Sequence, residues 1–468
     1  MLLKIKNSLK NINYKLFIAL LIMGLCPTIY TTLRVFFLGQ LPGEYSFSIA
    51  GQLSWVNLFY EIINEAIILP LFYFIGKVVL DKKELTNRIK TGLILAFIIY
   101  LCLSLVVFIF AEELLTLMAT SKEIINDSIT YIRLESIANI VSVLVSFILV
   151  SLVTISKEKN VYILTFVKLL LCLFFDTFLV SSLSFSFNLG VNGIAISNIV
   201  VNIILLIVSI ILLHRNNINI INKGKLNFIW TKEFFKIGGI SGIESFVRNI
   251  FYMVMICRMV NVVGEQGTYW VANNFIWGWL LLPIIQLAEL IKQEVATNND
   301  NIKQNSLGYF TITTIICILW IILIPIYKSF MQHILQFNDV NKLFELVITL
   351  LFFYILYAYQ NVFDATFYGL GKTHYMLFES IVTNVIYYGI CFILYITHIF
   401  QPTLIGIVLM FGFGNMFDSI VSFIVYIYML KKNKINILWK WNFMVCKENT
   451  CIKCVQFLLN TFFFSYFL

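Results

Sequence analysis

Charge is what this sequence has least of. Only 12% of its 468 residues are Asp, Glu, Lys or Arg, against about 25% in an average soluble domain. A soluble chain of this length would divide into two or three domains, each needing a charged coat, and the charge for such coats is missing. Soluble enzymes, nucleic-acid binders and secreted disulfide scaffolds are excluded. Histidine is scarce too. The four residues His214, His333, His374 and His398 stand at the ends of apolar runs or between them, and no HExxH zinc signature occurs. Nor is there a GxSxG elbow, so an intramembrane protease or acyltransferase has no catalytic set. The chain reads as a non-enzyme.

A nucleotide site is also lacking. The one phosphate-like string, "GLGKT" at Gly369 to Thr373, has Thr366 where a P-loop needs its first glycine, and it lies at the end of an apolar run. It reads as a short turn. Of nine cysteines, Cys26, Cys102, Cys172, Cys257, Cys317 and Cys391 fall within apolar runs, where they behave as small apolar residues. Cys446, Cys451 and Cys454 sit in the tail with no histidine nearby and no fourth ligand, so they read as free thiols in a reducing compartment. No metal centre and no cofactor are expected.

What the sequence has is apolar length. Its residues are 60% hydrophobic and its mean hydropathy is +0.90. About 280 apolar residues, at about 20–25 per span, make roughly twelve membrane helices. The runs lie at 16–40, 50–79, 91–115, 128–155, 161–183, 190–213, 237–263, 268–291, 306–327, 343–370, 374–398 and 403–430. The net charge of +9 follows this topology. Lys4, Lys6, Lys10 and Lys15 precede the first run, and Lys77, Lys82, Lys83, Arg88 and Lys90 follow the second. Arg215, Lys223, Lys225, Lys232 and Lys236 follow the sixth, and Lys431, Lys432 and Lys434 the twelfth. The alternate loops hold only Lys122, Lys328 and Lys342. By the positive-inside rule both termini are cytoplasmic in a multi-pass plasma-membrane protein. The first run is too long for a signal h-region and lacks a small-residue cleavage site.

The chain also repeats itself. "LRVFF" at Arg34 returns as "VRNIFY" at Arg248, "SWVN" at Trp55 as "YWVANN" at Trp270, and "ILPL" at Pro70 as "LLPI" at Pro283. "ISKEKNVYIL" at Lys157 corresponds to "LGKTHYML" at Lys372, and "GVNGIAIS" at Gly193 to "LIGIVLM" at Gly406. The offsets are 214, 215, 213, 215 and 213 residues. Six spans return the chain to the same side, so the two halves form a parallel repeat, the design of alternating-access transporters. The expected fold is an all-α polytopic membrane protein of twelve helices in two six-helix bundles related by a pseudo-two-fold. Residues 1–214 form the first bundle, 215–236 a cytoplasmic linker, 237–434 the second bundle and 435–468 a tail. The tail after Trp441 is apolar but too short to span.

An ionisable side chain at mid-membrane costs about 2.5–3.5 kcal/mol on insertion scales and by default marks a partner or a pathway. Those within the runs are Arg34, Glu61, Glu65, Asp176, Glu244, Arg248, Arg258, Asp364, Glu379 and Asp418. Glu61 and Glu65 lie four apart on one helix face, where they either share a proton or pair with a cation such as Arg34. Glu244 and Arg248 have the spacing and order of an intrahelical ion pair. Asp364 and Asp418 lie near the cytoplasmic interface or face the cleft. Lys168, two turns before Asp176, can snorkel to the cytoplasmic edge. Trp277 and Trp279 in "FIWGWLLLP" either pack inside or stack on a flat cation.

Over residues 15–434 the chain resembles the multidrug and toxic compound extrusion (MATE) transporters. The likeness is carried by "TTLRVFFLGQL", "CLFFDTFLV", "GVNGIAISN", "FKIGGISGIESF" and "FYGLGKTHYML". The resemblance implies export of organic cations and other amphipathic molecules in exchange for sodium ions or protons, with no other cofactor. It implies a small amphipathic substrate and the lipid bilayer as partners, and a monomer is expected. It also exposes departures. Five positions before Gly39, where the family has an acidic residue, stands Arg34. The family's asparagine four before its fifth-span aspartate is Cys172, while the aspartate, Asp176, is kept. The next polar position is Ser197 or Asn198. Asp176 with Ser197 or Asn198 would be half of a cation site, with Asp176 as the sodium ligand. Arg34 is expected to pair with Asp176, its fixed charge in the place of the exchanged ion. Coupling would then run through Glu61, Glu65 or the second half, or be absent. Two other readings accompany the exporter: a flippase for a lipid-linked saccharide or polar lipid, which the arginines favour, and a non-transporting membrane sensor or scaffold.

Overall fold

The structure is a computed structural model describing residues 2–41, 45–68, 70–155, 157–220, 226–433 and 435. The tail from residue 436 onward, with Cys446, Cys451 and Cys454, and the linker residues Lys223 and Lys225 lie outside the described residues, as does Lys434. Among the described residues all regular structure is helical. In order these are α1 (Leu2–Asn11), α2 (Tyr14–Gly39), α3 (Ser46–Ile67), α4 (Leu71–Gly76), α5 (Lys82–Ile109), α6 (Ala111–Leu117), α7 (Ile125–Thr154), α8 (Glu158–Leu179) and α9 (Gly190–Arg215). They are followed by α10 (Thr231–Tyr252), α11 (Arg258–Val262), α12 (Gln266–Phe275), α13 (Leu282–Thr297), α14 (Asn301–His333), α15 (Val340–Gly369), α16 (His374–Ile381), α17 (Gly389–Ile396) and α18 (Leu404–Lys432). Short π-helical turns, Met253–Cys257, Ile276–Leu280 and Val382–Tyr388, interrupt three of the long rods.

Ten of these rods are long and apolar enough to cross a membrane, and eleven if Gln266–Leu280 and Leu282–Thr297, bent by 51°, count as one. This is a multi-pass membrane fold. The helix at the expected second span, α3, is not among them: Gln52, Asn57, Glu61, Asn64 and Glu65 lower its apolar average. It packs against α7, α10 and α12. Helix starts follow local chemistry. The side chains of Asn13, Asp81, Asp339 and Thr403 accept backbone N–H groups at the first turns of α2, α5, α15 and α18. The "GLGKT" string is a turn between α15 and α16, with Gly371 at φ +66°, a backbone that only glycine adopts freely.

The buried apolar residues form two main cores. One gathers Trp55, Leu71, Ile89, Phe147, Ile148 and Leu205 in the first half; the other gathers Met255, Leu290, Val347, Tyr354, Ile407 and Met429 in the second. Lipid tails are as apolar as leucine, so close backbone approach and van der Waals contact hold such helices together. Gly92 seats against Phe147 and Gly412 against Phe353. The halves meet where α3 packs on α10 and α12 and where α2 packs on α13. Gly238 and Gly242 of α10 lie against Ala66 of α3, and Gly24 of α2 against Gln286 of α13.

Candidate functional site

In the first half, α8 is two-faced. Ile163, Phe166, Leu170 and Phe174 are exposed along one stripe, while Lys168, Cys172 and Asp176 follow one another at four-residue spacing on the opposite side. Asp176 is fully buried, and Arg34 of α2 reaches it: Arg34 Nε lies 2.7 Å from Asp176 Oδ2 and Nη2 lies 3.3 Å from Oδ1. Nη2 also donates to Asn198 Oδ1 at 2.7 Å. Both carboxylate oxygens are thus taken by the guanidinium, in the place where a sodium ion was expected. Of the two polar candidates on α9, Asn198 is the participant. Ser197 is buried and its Oγ has no hydrogen-bond partner among the described residues.

One member of this network escaped the sequence reading. Glu135 of α7, 4% exposed, accepts a 2.7 Å hydrogen bond from Asn198 Nδ2 and lies within hydrogen-bond reach of Tyr131. The signal was available, since Glu135 is an acidic residue inside an apolar run. Lys168 has an aromatic neighbour. Its ammonium faces the ring of Tyr30 at 5.8 Å.

Where the halves meet, a second constellation forms. Arg248 of α10 lies 2.6 Å from Glu65 and 3.7 Å from Glu61, both on α3. This corrects two expectations. Arg248 forms no ion pair with Glu244, because an arginine side chain reaches a facing helix as readily as its own, and the paired carboxylates on α3 offer two oxygen groups. The cation beside Glu61 and Glu65 is Arg248, not Arg34. Glu244 still feels Arg248, Glu65 and Glu61, so three carboxyl groups face one guanidinium. Glu61 and Arg248 are 47% and 40% exposed, so this cluster is only partly covered by the protein. Tyr357 lies within electrostatic reach of Arg248. Its ring sits 5.9 Å from that of Trp277, and Tyr354 lies 6.4 Å from the same indole, both edge-on. Trp277 is 42% exposed. Trp279 is placed differently, its Nε1 donating to Thr32 at 3.0 Å against Phe330.

The third group lies wholly in the second half. Gln360 Nε2 donates to Asp418 Oδ2 at 2.6 Å and to Asp364 Oδ2 at 3.3 Å. Ser422 donates to Asp364 at 2.8 Å and Thr383 to Asp418 at 2.6 Å. Glu379, 3% exposed, stands beside Asp364 with its Oε1 lacking a partner. No basic side chain pairs with these three carboxyl groups among the described residues; Arg248 acts on Asp418 only from a distance. A π-helical turn begins three residues after Glu379 and carries Thr383, a distortion frequent at functional sites. Among the described residues no group of three or more His, Cys, Asp or Glu is arranged to hold a metal ion.

At the end of the bundle away from the chain start, the halves are joined by amides. Gln52 and Asn261 exchange hydrogen bonds of 2.9 and 3.1 Å, Trp55 and Thr120 donate to Gln52 Oε1 at 2.9 and 3.2 Å, and Gln266 donates to the Gly51 carbonyl at 2.8 Å.

No family model matches the chain, and no curated protein matches it. Solved structures do. The fold is similar to the inward-facing conformation of a multidrug resistance MATE family transporter of the MOP superfamily, with TM-score 0.72 and 17% identity over 87% of this chain and 95% of that one. It is similar to the outward-facing conformation of such a transporter, with TM-score 0.67 and 18% identity over 92% and 98%. A third match, with TM-score 0.64 and 16% identity over 92% and 98%, is a MOP superfamily transporter from Pyrococcus furiosus Vc1, described as having a binding pocket of reverse polarity that suggests a different function.

Proposed function

We propose that this chain, which has the fold of MATE family transporters, is a secondary active exporter of amphipathic, cationic small molecules. It works by alternating access in the plasma membrane with both termini cytoplasmic, and is driven by a sodium or proton gradient. The carrying observation is the carboxyl excess where the halves meet: Glu61, Glu65 and Glu244 face the one cation Arg248 in a partly exposed cluster. A cationic guest completes that charge balance, and the exposed Trp277 supplies a π-face for it. The buried group Asp364, Glu379 and Asp418 supports the coupling role. Its partners are hydroxyls and an amide, so a proton gained there offsets charge that no neighbouring base offsets. Arg34 cannot give up its charge in this range, so exchange at Asp176 is not part of the reading.

The test is equilibrium binding of tetraphenylphosphonium to the protein in nanodiscs, with Glu61→Gln/Glu65→Gln beside the wild type. Saturable binding weakened in the variant is the expected result. Binding that is absent, or equal in both, removes the cation-exporter reading. The flippase reading keeps one specific observation in its favour, the cationic edge formed by Arg34 and Lys168 around Tyr30.

A further inference from the structure

Lys168 is the buried charge that the exporter reading leaves unused. It stands near the middle of α8, half-buried, on the same face as Cys172 and Asp176 and opposite the exposed apolar stripe. An ammonium at that depth normally pairs with a carboxylate or a carbonyl. Among the described residues it has neither an ion pair nor a hydrogen bond, and its neighbour is the Tyr30 ring at 5.8 Å. Asp176, two turns on, is already engaged at both oxygens by Arg34, and Glu135 lies behind Asn198. The second cation at this place is Arg34, whose guanidinium carbon is 5.3 Å from the same ring. Arg34 spends Nε and Nη2 on Asp176 and Asn198, while its Nη1 donates to no described residue. Two positive groups with free donors therefore flank one phenol.

We propose that Tyr30, Arg34 and Lys168 form an oxyanion subsite in the first half that takes the phosphate ester of an amphipathic molecule. Lysine serves phosphate as a point charge and arginine as a fork of N–H donors, and a tetrahedral anion has oxygens enough for both. The inference rests on the reading that the chain is a transporter. It deepens that reading by making the cargo carry an anionic group as well as the cationic one suited to Glu61, Glu65 and Glu244. The same ester chemistry is found in a lipid headgroup and in a water-soluble compound.

The experiment measures anisotropy of 4-methylumbelliferyl phosphate on the full chain in nanodiscs of neutral lipid. Unlabelled hexadecylphosphocholine or undecaprenyl phosphate serves as competitor, and tetraphenylphosphonium binding is measured in parallel. The wild type is expected to bind a phosphate ester, Lys168→Gln to bind it about tenfold or more weakly, and Lys168→Arg to recover most of the affinity. Unchanged tetraphenylphosphonium binding in Lys168→Gln shows that the variant is folded. A bound probe that either lipid phosphate displaces shows that the lipid-borne ester enters the same place, and a bound probe that neither displaces assigns the cargo to water; either supports the subsite. Equal phosphate binding by wild type and Lys168→Gln overturns it, as does a wild type that does not bind the soluble ester. Lys168-dependent phosphate binding in a protein that ignores tetraphenylphosphonium would retire the cation-exporter reading and leave the subsite standing.

Discussion

Arg34 and Asp176, 142 residues apart in sequence, form a buried ion pair in which the Arg34 Nε stands 2.7 Å from Asp176 Oδ2 and the carboxylate is wholly hidden from solvent. Removing one partner of such a pair leaves the other charge uncompensated, at a cost of about 3–5 kcal/mol. Arg34→Ala should therefore lower the thermal midpoint in detergent sharply. Arg34→Ala/Asp176→Ala should lower it by less than the two single changes together. Additive losses would mean that the two side chains are not coupled.

Gly238 and Gly24 give a contrast within one fold. A Cβ at Gly238 would fall on the backbone carbonyl oxygen of Ala66, which cannot move without shifting α3. A Cβ at Gly24 would meet the end of the flexible Gln286 side chain at 2.7 Å. Gly238→Ala should force the α3–α10 seam apart and lower yield and thermal midpoint, whereas Gly24→Ala should stay close to wild type. Thermal-shift fluorescence on both variants checks the order.

How much of this was legible beforehand differs by residue. The apolar runs located nearly every rod, and the family pattern around Arg34 and Asp176 pointed to their pairing. The partner of Arg248 was not legible. Four-residue spacing nominates Glu244, but helix spacing describes one helix only, and the real partner Glu65 lies 183 residues away on α3. Glu135 was passed over because its run was read for hydrophobic length and not for its single buried acid. Likewise α3 was read for its apolar residues, and the contacts its amides and acids make between the halves were not legible from them. Which face a polar residue presents is decided by packing between helices, and one chain read linearly does not contain that.

The amide exchange between Gln52 and Asn261 joins the halves at the end of the bundle away from the chain start. Asn261→Ala removes both bonds and leaves Gln52 without its cross-seam partner, so that end should open more often. The readout is the labelling rate of a cysteine at Ser48, which lines the 310 Å³ cavity beside this pair. Labelling should quicken in the Asn261→Ala background, and an unchanged rate would show that the amides do not hold the halves together there.

Asp364, Glu379 and Asp418 should set the pH response. Carboxyl groups gain protons as pH falls, which removes the negative charge that favours a cationic guest. Tetraphenylphosphonium affinity of the wild type should accordingly decrease as pH falls and increase as it rises. Glu379→Gln, which cannot titrate and keeps the neutral form at every pH, should flatten that profile by lowering binding at the high-pH end toward its low-pH value. Affinity measured across pH in wild type and variant decides it, and identical slopes would exclude Glu379 from coupling.

The most direct measurement is uptake of a fluorescent organic cation into inside-out vesicles containing the full chain, with sodium and pH gradients imposed separately. The account predicts uptake that follows one of the two gradients and collapses when that gradient is dissipated. Uptake that responds to neither gradient, equal to vesicles without the protein, would contradict it.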